Sequence, residues 1–400
     1  MIKVYTNSSY SGYLFKDHEQ YFFEYSPESL HQISLVMPPT KRIYLRKHYL
    51  HPFFEMYLPE GYLYELFKQL LTKEYGKIDD YLLFEYLAPN ISGRVTFKTE
   101  SNVLPCDTCP SLDELIMYDS EDSFIQLLKR FMNKNAVAGV QPKTIAIVTD
   151  KVQLDSREYI IKTWGQEFPY LAENEYFSMQ ALQKAGVVIP NLYLSANRRF
   201  LIVEKFTNET QGHAYGFEEV LGIIGKNRIH KYDGSYEQVA KVIFQATSND
   251  NFSMIQLYKM IVLNFILKNG DAHLRNFGVL YEPDMTKIRV SPAYDVVTTV
   301  VYMYKDKPAL TLFGRKVWAG LDELKKFGQK FLFLSEKECK MIIEECRASV
   351  KDTITEIKEY IFKNKSFAQM GKRMIDVWEF SLTQTETIKE MPGDIIRNWE

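Results

Sequence analysis

Asn269-Gly270-Asp271-Ala272-His273-Leu274-Arg275-Asn276 is the stretch on which the reading of this chain turns. An apolar segment, Gln256–Leu267, runs into it and reads as a buried helix. A strand-like segment, Phe277–Tyr281, follows it. Asp271 and Asn276 therefore stand five positions apart on a polar loop between two buried elements. The spacing alone is weak, because Asp and Asn are ordinary cap and turn formers. His273 lies between them and reads first as a structural residue holding the loop backbone, ahead of a general base or metal ligand.

Working outward, a second carboxylate gives the spacing weight. Asp295 sits in Val290-Ser291-Pro292-Ala293-Tyr294-Asp295-Val296, just after a small hairpin made of Phe277–Tyr281 and Lys287–Ser291. Protein kinases place an Asp to take the proton of the attacking hydroxyl and an Asn five residues on to bind magnesium. A second Asp, after such a hairpin, binds the magnesium that bridges the ATP phosphates. Magnesium suits this sparse set, since it favours one or two carboxylates with phosphate oxygens and water. Phosphoryl transfer asks for positioning and charge neutralisation more than covalent chemistry. Taken alone, Asp295 would read as a helix N-cap.

Upstream, Lys143–Thr149 and Glu158–Trp164 alternate like the strands of a hairpin around Asp150–Arg157. Glu173–Lys184 reads as a helix that stops at Ala185-Gly186, and Asn191–Ser195 with Phe200–Phe206 as further strands. Lys162 lies inside an apolar strand, where it either faces solvent or reaches nucleotide phosphates. Glu175 shares a helical face with Met179 and Leu182, so its carboxylate points inward, where it could pair with Lys162. The plainer alternative is a surface lysine and a surface glutamate. Val203-Glu204-Lys205-Phe206 ends the last strand where an adenine-binding hinge would lie. Ala138–Lys143 holds one glycine, a poor match to a phosphate cradle.

The first ~90 residues mix short strands with a compact helical part. Tyr21–Tyr25 and Ile33–Met37 read as strands, the second ended by Pro38-Pro39. After Pro59-Glu60-Gly61, Leu63, Leu66, Phe67 and Leu70 fall at helical spacing, and Asp79–Leu87 reads as another short helix. Ser92–Pro110 is rich in turn formers and reads as a connection or flap, with a domain boundary near 110–120 and a helix at Asp122–Met132. Near the other end, Ser335 and Glu338 form a capping box. Cys339, Ile342, Cys346, Val350, Ile354, Ile357 and Ile361 make the apolar stripe of a long helix, Ser335–Lys363. Two of the four cysteines are thereby core residues. Cys106 and Cys109 have metal-knuckle spacing, but there is no second pair, so no zinc site is expected.

Composition narrows the classes. The 400 residues carry 49 Lys+Arg against 51 Asp+Glu, and residues 1–110 carry 11 basic and 13 acidic side chains against 38 of each in the rest. Neither part is a basic nucleic-acid-binding surface. Tyr (27) and Phe (26) are abundant and read as core filling rather than base-stacking platforms. Four cysteines make no disulfide framework, no signal peptide is apparent, and no apolar run approaches the ~18–20 residues that span a bilayer. The expectation is a cytoplasmic protein in a reducing compartment.

In this order the elements resemble the HipA family of bacterial toxin serine/threonine kinases, over almost the whole chain. Ile33–Pro38, Pro52-Phe53-Phe54 and Leu58–Gly61 look like the family's N-terminal domain. Ala138–Lys143 matches its phosphate-side loop, Asn174-Glu175-Tyr176 its regulatory helix and Val203–Phe206 its hinge. Asn269–Phe277 and Ser291–Val296 match its catalytic and metal-binding loops and are the specific part. The resemblance implies an α+β, bilobal kinase-like fold. Residues 1–110 would form the small αβ N-terminal domain, 111–206 the kinase N-lobe and 207–400 a helical C-lobe. Asp271 would be the catalytic base, with Asn276 and Asp295 on magnesium. Lys162, Lys143, Glu204, Phe206 and His273 would lie on the ATP side, with Glu175 paired to Lys162. The family implies transfer of the ATP γ-phosphate to a protein hydroxyl, in known members often on an aminoacyl-tRNA synthetase, which inhibits translation and leads to persistence. It also implies a helix-turn-helix antitoxin of the HipB type that carries the operator-DNA contact.

Two departures stand out. A serine that autophosphorylates in relatives corresponds to Ala136, which has no hydroxyl. Either regulation differs, or the position has been altered to block the switch. Arg275 replaces the usual Lys and keeps its charge. Two other readings compete with the kinase toxin: a catalytically weak co-repressor acting with its antitoxin, and a small-molecule kinase.

Overall fold

A computed structural model of the chain describes residues 1–59, 61–99, 112–117, 143–149, 156–163, 167–208, 214–393, 395 and 399. The expected helix Asp122–Met132, the Cys106–Cys109 pair and Ala136 lie outside these residues. Helix and sheet are mixed along the chain, which divides into two compact units. The first comprises residues 1–165, 195–230 and 280–288; the second comprises 166–194, 231–279 and 289–400.

The first unit opens with five antiparallel strands: β1 (Ile2–Thr6), β2 (Ser9–Asp17), β3 (Gln20–Tyr25), β4 (Ile43–Lys47) and β5 (Val95–Lys98). Their order in the sheet is β4-β3-β2-β1-β5. Period-two alternation buries Ile2, Val4, Leu14, Tyr21, Phe23 and Tyr25 on one face. That face belongs to one core with Phe53, Phe54 and Phe84 of the short helices Pro52–Glu55 and Asp80–Leu87. Phe54 lies at its centre, with ring centroids 5.3–6.2 Å from Phe53, Phe23, Phe84 and Phe97. A Cβ on Gly12 would lie 2.1 Å from the Glu24 carbonyl oxygen, so β2 and β3 approach there only because the residue is glycine.

Two expectations fail in this region. Ile33–Met37 is not a strand but a series of turns. Distant side chains satisfy its backbone: the Arg94 guanidinium donates to the carbonyls of Ile33 and Gln32, and the Tyr25 hydroxyl accepts from the Ile33 N–H at 3.0 Å. The Glu218 carboxylate accepts from the Leu35 N–H (2.6 Å), the Ser34 hydroxyl (2.7 Å) and the Tyr281 hydroxyl (2.8 Å). Burial pushes the Glu218 pKa up, against the pull of these three donors and Arg94. The second failure is the connection at Ser92–Pro110, part of which is β5, paired with β1.

Further along the same unit, β6 (Lys143–Thr149) pairs antiparallel with β7 (Ser156–Thr163), the expected hairpin. The strand expected at Phe200–Phe206 is shorter, β9 (Phe200–Glu204), and pairs with β7; the one expected at Asn191–Ser195 is also shorter, β8 (Leu192–Leu194), and ends a segment counted with the second unit.

The second unit is mainly helical. Asn251–Ile266, capped by Asp250, is buried on nearly every side. Glu336–Lys363 carries the reciprocal Ser335/Glu338 capping box. Its stripe is buried from Cys339 to Ile357 and half-buried at Ile361. This helix packs against Leu171–Lys184, Asn251–Ile266, Leu321–Phe331 and Ala368–Thr383. Among the described residues no helix is long and apolar enough to cross a membrane.

Candidate active site

The loop begins where Asn251–Ile266 stops. Lys268 takes a left-handed conformation, φ 54°, at a position where glycine is usual. The Asn269 N–H then returns to the Asn264 carbonyl at 2.9 Å, and the two Asn side chains bond at 2.7 Å. The Lys268 side chain is 1% exposed. Its ammonium donates to the Phe265 carbonyl (3.2 Å) and to Gln384 Oε1 (2.6 Å), and lies 5.2 Å from the Trp318 ring centroid. Gln384 is oriented in turn, because its amide donates to the carbonyls of Trp318 (3.0 Å) and Glu386 (2.8 Å). Burial without a charged partner lowers the Lys268 pKa to about 7.

Backbone bonds then fix the loop. The Gly270 N–H donates to Thr299 Oγ1 at 2.8 Å, and Thr299 N–H donates to the Lys268 carbonyl at 3.3 Å. A Cβ on Gly270 would lie 1.9 Å from Asp306 Oδ2, so glycine is needed for that approach. The Asp271 N–H bonds to Asn269 Oδ1 at 3.1 Å, while the Asp271 carboxylate is exposed. Among the described residues one donor reaches that carboxylate: the Tyr232 hydroxyl, 2.7 Å from Oδ1. The His273 N–H donates to the Asp271 carbonyl (2.8 Å) and to Asn276 Oδ1 (3.0 Å). His273 itself is buried, its Nδ1 accepting from the Arg275 N–H at 3.3 Å. It thus holds backbone, as its place in the loop suggested.

The segment bearing Asp295 is tied to this loop at both ends. The hairpin of Gly278–Tyr281 and Arg289–Val290 leads from one to the other, and the Ser291 N–H bonds to the Gly278 carbonyl at 2.9 Å. The Tyr294 hydroxyl donates to the Arg275 carbonyl at 2.6 Å, so the residues next to Asp295 and next to Asn276 are hydrogen-bonded to one another. Beyond Asp295, Asn174 holds both backbone groups of Thr298: its Oδ1 accepts from the N–H (2.8 Å) and its Nδ2 donates to the carbonyl (3.0 Å). Trp378 Nε1 donates to the Thr298 hydroxyl at 2.8 Å. Asp295 is left-handed, φ 56°, and half-buried. It is no helix cap; the next helical turn, Thr299–Val301, is preceded by Thr298. Non-glycine residues hold such a conformation where their surroundings impose it, as at ligand-binding sites.

The second unit thus assembles Asp271, Asn276 and Asp295 on two interlocked segments. One carboxylate and one amide oxygen are hard oxygen donors that suit magnesium, which takes its remaining ligands from phosphate and water. Asn276 Oδ1 uses one lone pair on the His273 N–H and keeps another for an ion. Among the described residues no cluster of three or more His, Cys, Asp or Glu could hold a metal by itself.

The other predicted residues are placed as follows. Lys143 begins β6 and is the backbone partner of the half-buried Lys162 on β7. Glu204 ends β9 opposite Tyr159, and the Phe206 ring packs on Phe217 with centroids 5.1 Å apart. All four belong to the first unit, whereas Glu175, 6% exposed on Leu171–Lys184, belongs to the second. Sequence reasoning missed Tyr232, Lys268, Asn174, Thr299 and Asp306. Lys268 carried a local signal, a lysine closing an apolar helix, and Asn174 stood in the Asn174-Glu175-Tyr176 motif without a role of its own.

The fold and the loop geometry define an α+β, kinase-like protein. A family model of the HipA N-terminal domain matches residues 2–98, and one of the HipA-like C-terminal domain matches residues 135–354. The second alone spans more than half of the chain, which belongs to the HipA family. A candidate kinase of Sinorhizobium fredii, Y4dM, is 27% identical over 329 residues, covering 75% of this chain and 74% of that protein. A candidate kinase of Haemophilus influenzae is 28% identical over 201 residues, 46% of this chain and 58% of that protein. The HipA chain of the Shewanella oneidensis HipA, HipB and operator-DNA complex shares the fold, with a TM-score of 0.65 at 16% identity, covering 96% of this chain and 98% of that one.

Proposed function

We propose that this protein is an ATP- and magnesium-dependent serine/threonine-protein kinase, the toxin of a type II toxin–antitoxin pair. The observation that carries the reading is the bond from Tyr294 to the Arg275 carbonyl, which joins the segment of Asp295 to the loop of Asp271 and Asn276. In this reading Asp271 accepts the proton of the substrate hydroxyl, and Asn276 and Asp295 hold magnesium against the ATP phosphates. Bound magnesium supplies charge neutralisation at the transferring phosphate. Lys162 and Lys143 approach the phosphates, and the backbone of Glu204–Phe206 takes the adenine edge. His273 acts on the nucleotide side through the loop it braces.

The substrate is a protein hydroxyl, with an aminoacyl-tRNA synthetase the leading candidate, and phosphorylation halts translation in the cytoplasm. The partner is a helix-turn-helix protein of the HipB type, which carries the operator contact. Near-zero net charge supports that division of labour.

The test compares phosphoproteomes of cells expressing the chain or its Asp271→Ala variant. The expected result is a phosphoserine or phosphothreonine on a translation enzyme, lost in the variant, while the variant still binds MgATP. Transfer retained by Asp271→Ala removes Asp271 as the base. A phosphorylated metabolite in place of a phosphoprotein favours the small-molecule kinase.

A further inference from the structure

The one donor that the described residues offer to the Asp271 carboxylate comes from outside the loop. Tyr232 lies 39 residues upstream, and its hydroxyl donates to Asp271 Oδ1 at 2.7 Å. An exposed carboxylate ordinarily samples several rotamers. A charge-assisted hydrogen bond of this length selects one of them and leaves Oδ2 to face an incoming hydroxyl.

The tyrosine is itself held in place. The Leu274 N–H donates to the Lys231 carbonyl at 3.0 Å, and Lys316 Nζ donates to the Tyr232 carbonyl at 3.1 Å. Ser235 bridges to Thr311, whose N–H donates to the Gly234 carbonyl at 3.1 Å. Its ring stands edge-on to His273, with centroids 5.3 Å apart. Tyr232 is therefore held beside the catalytic loop by the backbone bond of its neighbour Lys231 and by its ring on His273, and its hydroxyl reaches the reacting group.

We propose that Tyr232 is a positioning residue for phosphoryl transfer, its hydroxyl holding Asp271 Oδ1 so that Oδ2 is presented to the substrate hydroxyl. The inference rests on the kinase reading above. A general base is effective only within hydrogen-bond reach of the proton it takes, so loss of its orientation lowers the rate of the chemical step and leaves nucleotide binding alone.

The test uses the full chain, with MgATP turnover followed as ADP release in the presence of casein as a generic hydroxyl donor. Tyr232→Phe keeps the ring on His273 and removes only the hydroxyl, and Tyr232→Leu removes both. The expected result is a kcat about tenfold lower for Tyr232→Phe, with MgATP KM and thermal midpoint unchanged. Tyr232→Leu should then fall within about twofold of Tyr232→Phe in kcat. Unchanged or faster turnover in Tyr232→Phe overturns the inference, and faster turnover identifies the hydroxyl as a plug over the base. A loss confined to Tyr232→Leu overturns it in favour of ring packing. A phosphate found on Tyr232 by mass spectrometry overturns it in favour of an acceptor role. A wild-type chain that neither binds nor turns over MgATP defeats the kinase reading, and this inference with it.

Discussion

The N-terminal sheet and the Asn269–Asn276 loop are built on opposite principles. The sheet holds its core with ring on ring: Phe23, Phe53, Phe54, Phe84 and Phe97 pack together. The Asn269–Asn276 loop and the segment after it are held by directed bonds from groups that are themselves held, such as Lys268 on Gln384 and Asn174 on Thr298. Apolar packing tolerates small adjustments of neighbours and supplies stability. Directed polar bonds supply position, at the cost of burying groups that must be satisfied. Substitutions in the first region should therefore act on folding, and those in the second on turnover as well.

The largest effect is expected from Phe54→Ala. The side chain is fully buried, so its removal should cost about 3–5 kcal/mol of stability, read from the urea midpoint. Turnover per folded molecule should stay at the wild-type level. A variant that stays folded and loses turnover would break the comparison, because the sheet core would then be tuning the active site.

Lys268→Met tests the second region through pH. Burial lowers the Lys268 pKa from 10.5 to about 7 in the folded chain. Between those values the unfolded chain binds a proton that the folded chain has lost, so stability of the wild type rises as pH goes up through the window. The rise should amount to a few kcal/mol at most, and Lys268→Met should lack it. Urea midpoints at about pH 7 and pH 9.5 measure it. Equal pH dependence in the two proteins would mean that another group titrates there and that the Lys268–Gln384 bond is not a buried-cation contact.

Much of the candidate site was legible as a pattern because its residues are local. Asp271 and Asn276 stand on one eight-residue stretch, and Asp295 follows a hairpin whose alternation can be read. Ile33–Met37 shows why other parts were not. Its alternation is that of a strand, yet its backbone partners are side chains such as Arg94 and Glu218, about 60 and 180 residues away. Nothing in the local pattern names such partners. β5 was hidden in the same way, since four residues among turn formers become a strand only by pairing with β1. Tyr232 and Asn174 have no spacing that points to the loop they serve, because hydrogen bonds over such separations leave no periodicity.

Asn174 gives the smallest effect and the sharpest one. Its amide makes a donor–acceptor pair with the two backbone groups of Thr298, three residues past Asp295. Asn174→Ala leaves a buried N–H and a buried carbonyl without that partner, which should cost about 1–3 kcal/mol and lower turnover as the Asp295 segment loosens. Asn174→Asp keeps an acceptor for the Thr298 N–H and removes the donor to the carbonyl. It should therefore recover about half of the stability lost by alanine. The comparison predicts more than an intermediate stability. If directed bonds set position, the apparent magnesium requirement of turnover should rise in alanine and return part of the way in aspartate. Thermal melts together with magnesium titrations of turnover measure both. A magnesium requirement that stays constant while stability changes would place Asn174 with the ring-packed sheet, as scaffold alone.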